Sequence, residues 1–171
     1  MLDQTIIYLV SGPIGVGKST TSKVLAQNVS NCVLIHGDYI LQMFDYGSDT
    51  SWEHRLRLTW ENILAITKNF THHGFNIVID FVVEDELEWF CQQINDLPVT
   101  LKYIVLRADK EKLIERIHSR GDHESIDRSL FLLKKLESLP SNKSFLYDTT
   151  LKHTGEIVDT ILNDNRFSVK I

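Results

Sequence analysis

Eight consecutive residues constrain this chain more than any others. Gly12-Pro13-Ile14-Gly15-Val16-Gly17-Lys18-Ser19 satisfies G-x-x-x-x-G-K-[ST] in full. Glycines permit left-handed torsions and close approach, so successive backbone N–H groups can surround an anion without side chains in the way. The motif follows a short β-rich run, Thr5 to Val10, and opens a helical pattern from Lys18 to Val29. A strand that turns into a helix in this manner aims the helix dipole and free amides at a polyphosphate. Lys18 is placed to neutralise the β- and γ-phosphates, and the Ser19 hydroxyl is a hard oxygen ligand suited to Mg²⁺. Gly12 to Thr20 is therefore the predicted phosphate cradle.

The 171 residues predict one domain. The hydrophobic fraction of 43% and charged fraction of 24% are ordinary, which excludes disordered and fibrous classes. No apolar run approaches the roughly 20 residues that span a bilayer. Met1-Leu2-Asp3-Gln4 lacks the basic start of a signal peptide, so the expectation is a cytoplasmic protein with no membrane partner. The formal charge of −5 disfavours a nucleic-acid footprint, which draws on clustered Lys and Arg. Cys32 and Cys91 match no metal or redox spacing and read as small buried apolar residues.

Strand and helix patterns alternate along the chain. Cys32 to Ile35 reads as a second strand, closed by His36-Gly37-Asp38, and Tyr39 to Phe44 as a short helical turn before a polar loop, Asp45 to Asp49. A long helix is predicted from Thr50 or Ser51, with a Thr50/Glu53 capping box and an inner stripe of Trp52, Leu56, Ile63, Leu64 and Phe70. Gly74 stops it. Phe75 to Val83 is the third strand, apolar on both faces. Glu84 to Asn95 is helical, Leu101 to Leu106 is the fourth strand, and helices follow from Asp109 to about Gly121 and from Ser125 to Ser138. Phe145 to Tyr147 is a short fifth strand and Thr154 to Leu162 a last helix. The tail from Asn163 to Ile171 reads as an edge strand or a frayed end. This order predicts an α/β fold, a parallel sheet with right-handed crossovers.

Carboxylates are required near the metal and the attacking group. Asp80 ends the apolar run of strand three and Asp38 ends strand two, on the sheet edge that carries the glycine turn. Either could act as the base or order a Mg²⁺-bound water, and with Ser19 they form the candidate metal set. His36 reads as structural, and Glu84 and Asp85 as the solvated first turn of the next helix. Arg116 and Arg120, four apart, share a helix face and could stabilise the transferring phosphate. Arg128 follows them, and Arg55 and Arg57 face the acceptor region in this reading.

Together these features resemble the small P-loop kinases that phosphorylate metabolites or antibiotics, among them the shikimate and gluconate kinases, chloramphenicol phosphotransferase and the zeta-toxin-like kinases. The resemblance rests on Gly12 to Thr20, on Asp38, on Gly74-Phe75-Asn76-Ile77-Val78-Ile79-Asp80, on Glu115-Arg116 to Arg120, and on Asp148-Thr149-Thr150. It implies a three-layer P-loop NTPase fold with a five-stranded parallel sheet in the order 2-3-1-4-5 and helices on both faces. It also implies an acceptor region at about 39–73 and a mobile lid at about 116–128. The expected activity is transfer of the γ-phosphate of ATP, with Mg²⁺, to a hydroxyl of a small-molecule acceptor. Lys18, Asp38, Arg116 and Arg120 would be the catalytic residues. The shikimate kinase glycine cluster and the second half of the gluconate kinase pattern are missing, so the class is implied and no member of it. A nucleotide or nucleoside kinase is one alternative. An ATP-dependent switch without an acceptor, using the Trp52 helix as an interface, is another; a polynucleotide 5′-end kinase fits the charge poorly.

Overall fold

The protein is described from a computed structural model that covers residues 4–47 and 49–170, so the expectations for Met1 to Asp3, Ser48 and Ile171 lie outside the described residues. Four strands build the centre of a sheet: β1 (Thr5–Ser11), β2 (Cys32–His36), β3 (Asn76–Asp80) and β4 (Val99–Arg107). With β5 (Leu146–Asp148) they run parallel in the order β2-β3-β1-β4-β5. Val10 stands beside Asp80 on one side and Ile104 on the other, and His36 beside Asp80. The carboxyl ends of β1, β2 and β3 therefore form one edge, where ligands sit in open α/β sheets.

Successive residues of β1 enter opposite layers. Ile7 and Leu9 pack with Trp60 and Ile63 of α3 (Trp52–His72) and Phe90 of α4 (Leu87–Ile94). Tyr8 and Val10 pack with Leu25 of α1 (Lys18–Asn28), Leu113 of α5 (Lys110–Ser119) and Ile157 of α7 (Thr154–Asn163). The two-residue period of a strand divides its side chains this way, and helices on both faces explain the unbroken apolar runs. Among the described residues no helix is long and apolar enough to cross a membrane.

Where five strands are expected, the described residues form six. β5 pairs only with Val105 to Arg107, which leaves the earlier part of that edge open. The tail closes it as β6 (Ser168–Val169), antiparallel to Leu101 and Lys102. An unpaired edge exposes backbone donors and acceptors, and two residues suffice to cover this one. Lys102 lies buried at the same place. Its ammonium donates to the carbonyls of Ile161 and Leu162, orphan acceptors at the end of α7.

β3 ends at Asp80, not at Val83, and three further boundaries differ from expectation for local reasons. α3 is capped by Ser51, whose hydroxyl accepts from the His54 amide, so the Thr50/Glu53 box does not form. Trp52 is consequently half-exposed, whereas Trp60 is buried. β2 ends at His36, and Asp38 lies in the first turn of α2 (Gly37–Gln42) instead of closing the strand. α4 begins at Leu87, not Glu84, because the Glu86 carboxylate accepts from the Glu84 and Asp85 amides and turns the chain before the helix. The predicted stop at Gly74 is present. Gly74 has φ of 75°, the Phe75 amide reaches back to the Phe70 carbonyl, and the two rings meet at 5.6 Å. Those are the hydrogen bond and apolar contact of a Schellman end.

Candidate active site

The turn from β1 to α1 presents backbone amides to solvent. Gly17 occupies the cap of α1 in the left-handed region, φ 101°, and no side chain caps the helix. The first amides of α1 are thus left for an anion. The loop is braced from behind: Ser129 of α6 (Ile126–Ser138) donates its hydroxyl to the Ile14 carbonyl at 2.7 Å. Arg116 donates to the carbonyls of Val16 at 3.0 Å and Thr149 at 3.4 Å.

Lys18 folds back over the loop, its ammonium 3.5 Å from the Pro13 carbonyl. Burial lowers its pKa, the charges of Asp80 and Asp38 oppose that, and Arg120 adds to it. For Asp38, desolvation raises the carboxyl pKa, Lys18 pulls it down, and Asp80 raises it further. Lys18 thus lies within reach of the charges of Asp38, Asp80 and Arg120, and Asp38 within reach of that of Asp80. Asp80 is 4% exposed and accepts from Nδ1 of His36 at 2.9 Å. The loop after it is pinned to β1, with the Phe81 amide on the Val10 carbonyl and the Val83 amide on the Ser11 hydroxyl. His36, read from sequence as structural, is the hydrogen-bond partner of this carboxylate.

The oxygen set fits Mg²⁺. Among the described residues no group of three or more His, Cys, Asp or Glu converges as a metal cage. Mg²⁺ is usually held by one or two carboxylates together with substrate phosphates and water, which Ser19, Asp80 and Asp38 at the mouth of the turn can supply.

Two cavities bear on the site, and only the smaller is lined by the turn. One of about 270 Å³ is lined by Gly15 to Gly17, both Arg116 and Arg120, Lys152 and Thr154. The two arginines differ. Arg116 is committed to backbone carbonyls, whereas Arg120 makes no ion pair among the described residues. The other cavity, about 530 Å³, is walled by Trp52, Trp60, Trp89 and Phe131. Phe81 links its wall to the start of α2: the Phe81 ring meets Trp60 at 5.3 Å, and a Cβ on Gly37, the neighbour of Asp38 in the chain, would lie 2.4 Å from it.

Sequence reasoning missed Glu84. It is no solvated helix turn, for its side chain is 15% exposed and ion-paired to Arg128 and Lys135. Arg128 therefore points into that pair and over the Phe131 ring at 5.3 Å. Arg55 lies 3.7 Å from Asp45, and Arg57 lines the larger cavity. Trp60 continues the Trp52–Leu56 spacing by one more turn, a signal present in the sequence. Both cysteines are free and half-buried, and burial pushes the Cys32 thiol up to about 11.

The fold and this turn define a P-loop nucleoside-triphosphate-binding protein. The chain belongs to the AAA domain family, whose model matches residues 9–134. It is 31% identical over 172 residues to a Thermococcus kodakarensis protein named "Putative adenylate kinase", covering 96% of this chain and 88% of that one. Among solved structures it resembles the tunicamycin resistance protein of Deinococcus radiodurans, with a TM-score of 0.67, 17% identity, and 92% and 93% of the two chains covered. It also resembles a gluconokinase of Sinorhizobium meliloti, with a TM-score of 0.62, 18% identity, and 94% and 90% covered. The two structural likenesses establish a shared fold.

Proposed function

We propose that this chain is an ATP- and Mg²⁺-dependent kinase that transfers the γ-phosphate to a hydroxyl of a small molecule. The observation that carries the proposal is the grouping of Lys18, Asp38 and Asp80 at the phosphate turn, together with a second cavity whose wall residue Trp60 contacts Phe81, which in turn packs on Gly37 beside Asp38. A switch that only hydrolyses ATP has no use for a second cavity of small-molecule size. The names of the gluconokinase and of the Thermococcus relative are consistent with phosphoryl transfer.

In this account the Gly15 to Ser19 amides and Lys18 hold the triphosphate. The cleft between Arg116, Arg120, Lys152 and Thr154 takes the nucleoside end. Ser19 and Asp80 would hold Mg²⁺, which when bound would neutralise charge on the phosphates, and Asp38 is left free as the base. The acceptor hydroxyl attacks phosphorus, its proton passes to Asp38, and the bond to the bridging oxygen breaks to release ADP. Arg120, without an ion-pair partner among the described residues, is positioned to meet charge developing on the transferred group.

Asp38→Asn tests the base. ATP-dependent stabilisation should be unchanged and transfer should fall about 10²–10⁴-fold. Full transfer in this variant would remove Asp38 from the chemistry. The pH profile carries a second test. Asp38 must be ionised to accept a proton, so activity falls as pH drops through its raised pKa. The acid limb should therefore lie above the ordinary aspartate value of about 3.9. Fold stability runs the other way, because a raised native pKa favours the protonated form and that gain is lost as pH rises. An acid limb at or below the ordinary value would contradict the assignment.

A second reading, a nucleoside monophosphate kinase, is favoured by the name of the Thermococcus relative.

A further inference from the structure

The larger cavity has an unusual chemical lining. The chain has three tryptophans, and Trp52, Trp60 and Trp89 all stand in this one wall. Trp52 and Phe131 are 53% and 54% exposed, so large rings face solvent at the rim while Trp60 forms the buried floor. The Trp60 indole N–H is buried with no hydrogen-bond partner among the described residues. Buried indole donors ordinarily find one, so this N–H is left over by the packing of the floor. Exposed rings gathered around a concavity of about 530 Å³ mark a ligand site.

The charges at the wall sort into two groups. Glu61 lies 3.8 Å from Arg57, Glu84 pairs with Arg128 and Lys135, and Asp85 pairs with Lys135. Glu53 and Glu86 line the same cavity and make no ion pair among the described residues. Arg128, the cation best placed to meet an anionic acceptor, is already held by Glu84 on one side and by the Phe131 face on the other. An acceptor phosphate entering here would meet surplus carboxylates and two arginines that are each paired with a carboxylate.

We infer that the cavity takes an acceptor bearing a positively charged ammonium group beside its hydroxyl, an amino alcohol or amino sugar. This inference rests on the kinase reading, and it names the acceptor class for that same site. Aromatic faces attract a cation through their quadrupole, and Trp does so best. Glu53 and Glu86 supply the countercharge. For the acceptor's hydroxyl to reach Asp38, the Phe81 ring that packs on Trp60 and Gly37 turns aside when the acceptor binds.

The test uses the intrinsic fluorescence of the three tryptophans, measured without ATP so that binding is separate from transfer. Choline and glucosamine are titrated against their uncharged counterparts, the carbon analogue of choline and glucose, and against AMP. At least one charged member should quench saturably and bind about tenfold more tightly than its neutral partner. Glu53→Gln, an exposed change on the first turn of α3, should remove most of that preference without altering the melting temperature. Equal binding of charged and neutral partners, no quenching by either amine, or saturable quenching by AMP that the amines fail to displace would each overturn the inference. ATP-dependent transfer to a neutral acceptor would sink it while leaving the kinase reading intact. Loss of ATP binding by the unaltered protein would sink the kinase reading whatever the quenching shows.

Discussion

Lys18→Ala should abolish ATP-dependent thermal stabilisation and lower phosphoryl transfer by at least about 10³-fold. The ammonium of Lys18 rests on the loop and feels the charges of both Asp38 and Asp80. Without it those carboxylates face the triphosphate directly. ATP at about 100 times its Kd should stabilise the unaltered protein by about 2.7 kcal/mol, a rise of roughly 5–10 °C for a chain of this size. The variant should rise by less than about 1 °C in the same melting experiment. Its melting temperature without ATP should be equal or higher, because burying the lysine charge is itself unfavourable. A full ATP shift in Lys18→Ala would contradict the role given to the turn.

The second large effect falls on the fold beside the site. Trp60 is 2% exposed and meets Phe81 at 5.3 Å and Phe90 at 5.9 Å, both edge to face. Trp60→Ala should cost about 3–5 kcal/mol, the range for deleting a buried aromatic, and lower the melting temperature by roughly 6–20 °C. Trp60→Phe should cost far less, because it keeps a ring and removes a buried N–H that has no partner. Phe81 lies between Trp60 and Gly37, so the alanine variant should also lose transfer below its melting temperature while keeping the ATP shift. Equal melting temperatures for Trp60→Ala and the parent would contradict the packing described here.

Legibility in the sequence follows the distance over which each feature is encoded. The phosphate turn is a contiguous run of residues, and each contributes through its own torsions or head group, so it could be read directly. The parallel sheet and the two-faced burial of β1 and β3 follow from alternation and apolar runs, whereas the strand order is implied by the resemblance to the small P-loop kinases. Thr50 and Ser51 are chemically interchangeable as caps, and only the accepted His54 amide distinguishes them. β6 spans two residues, too few to carry a period. Glu84 was misread because its partners Arg128 and Lys135 are 44 and 51 positions away. The larger cavity was unreadable for the same reason. Trp52 and Trp60 on α3, Trp89 on α4 and Phe131 on α6 meet only after the sheet has brought those helices together.

The most direct test of the central claim is a crystal structure with a non-hydrolysable ATP analogue and Mg²⁺. The triphosphate should lie on the Gly15 to Ser19 amides with Lys18 at its β- and γ-phosphates, and the nucleoside end should occupy the cleft beside Arg116, Arg120, Lys152 and Thr154. A triphosphate bound elsewhere, or a turn left empty while the analogue is present in the crystal, would contradict the account.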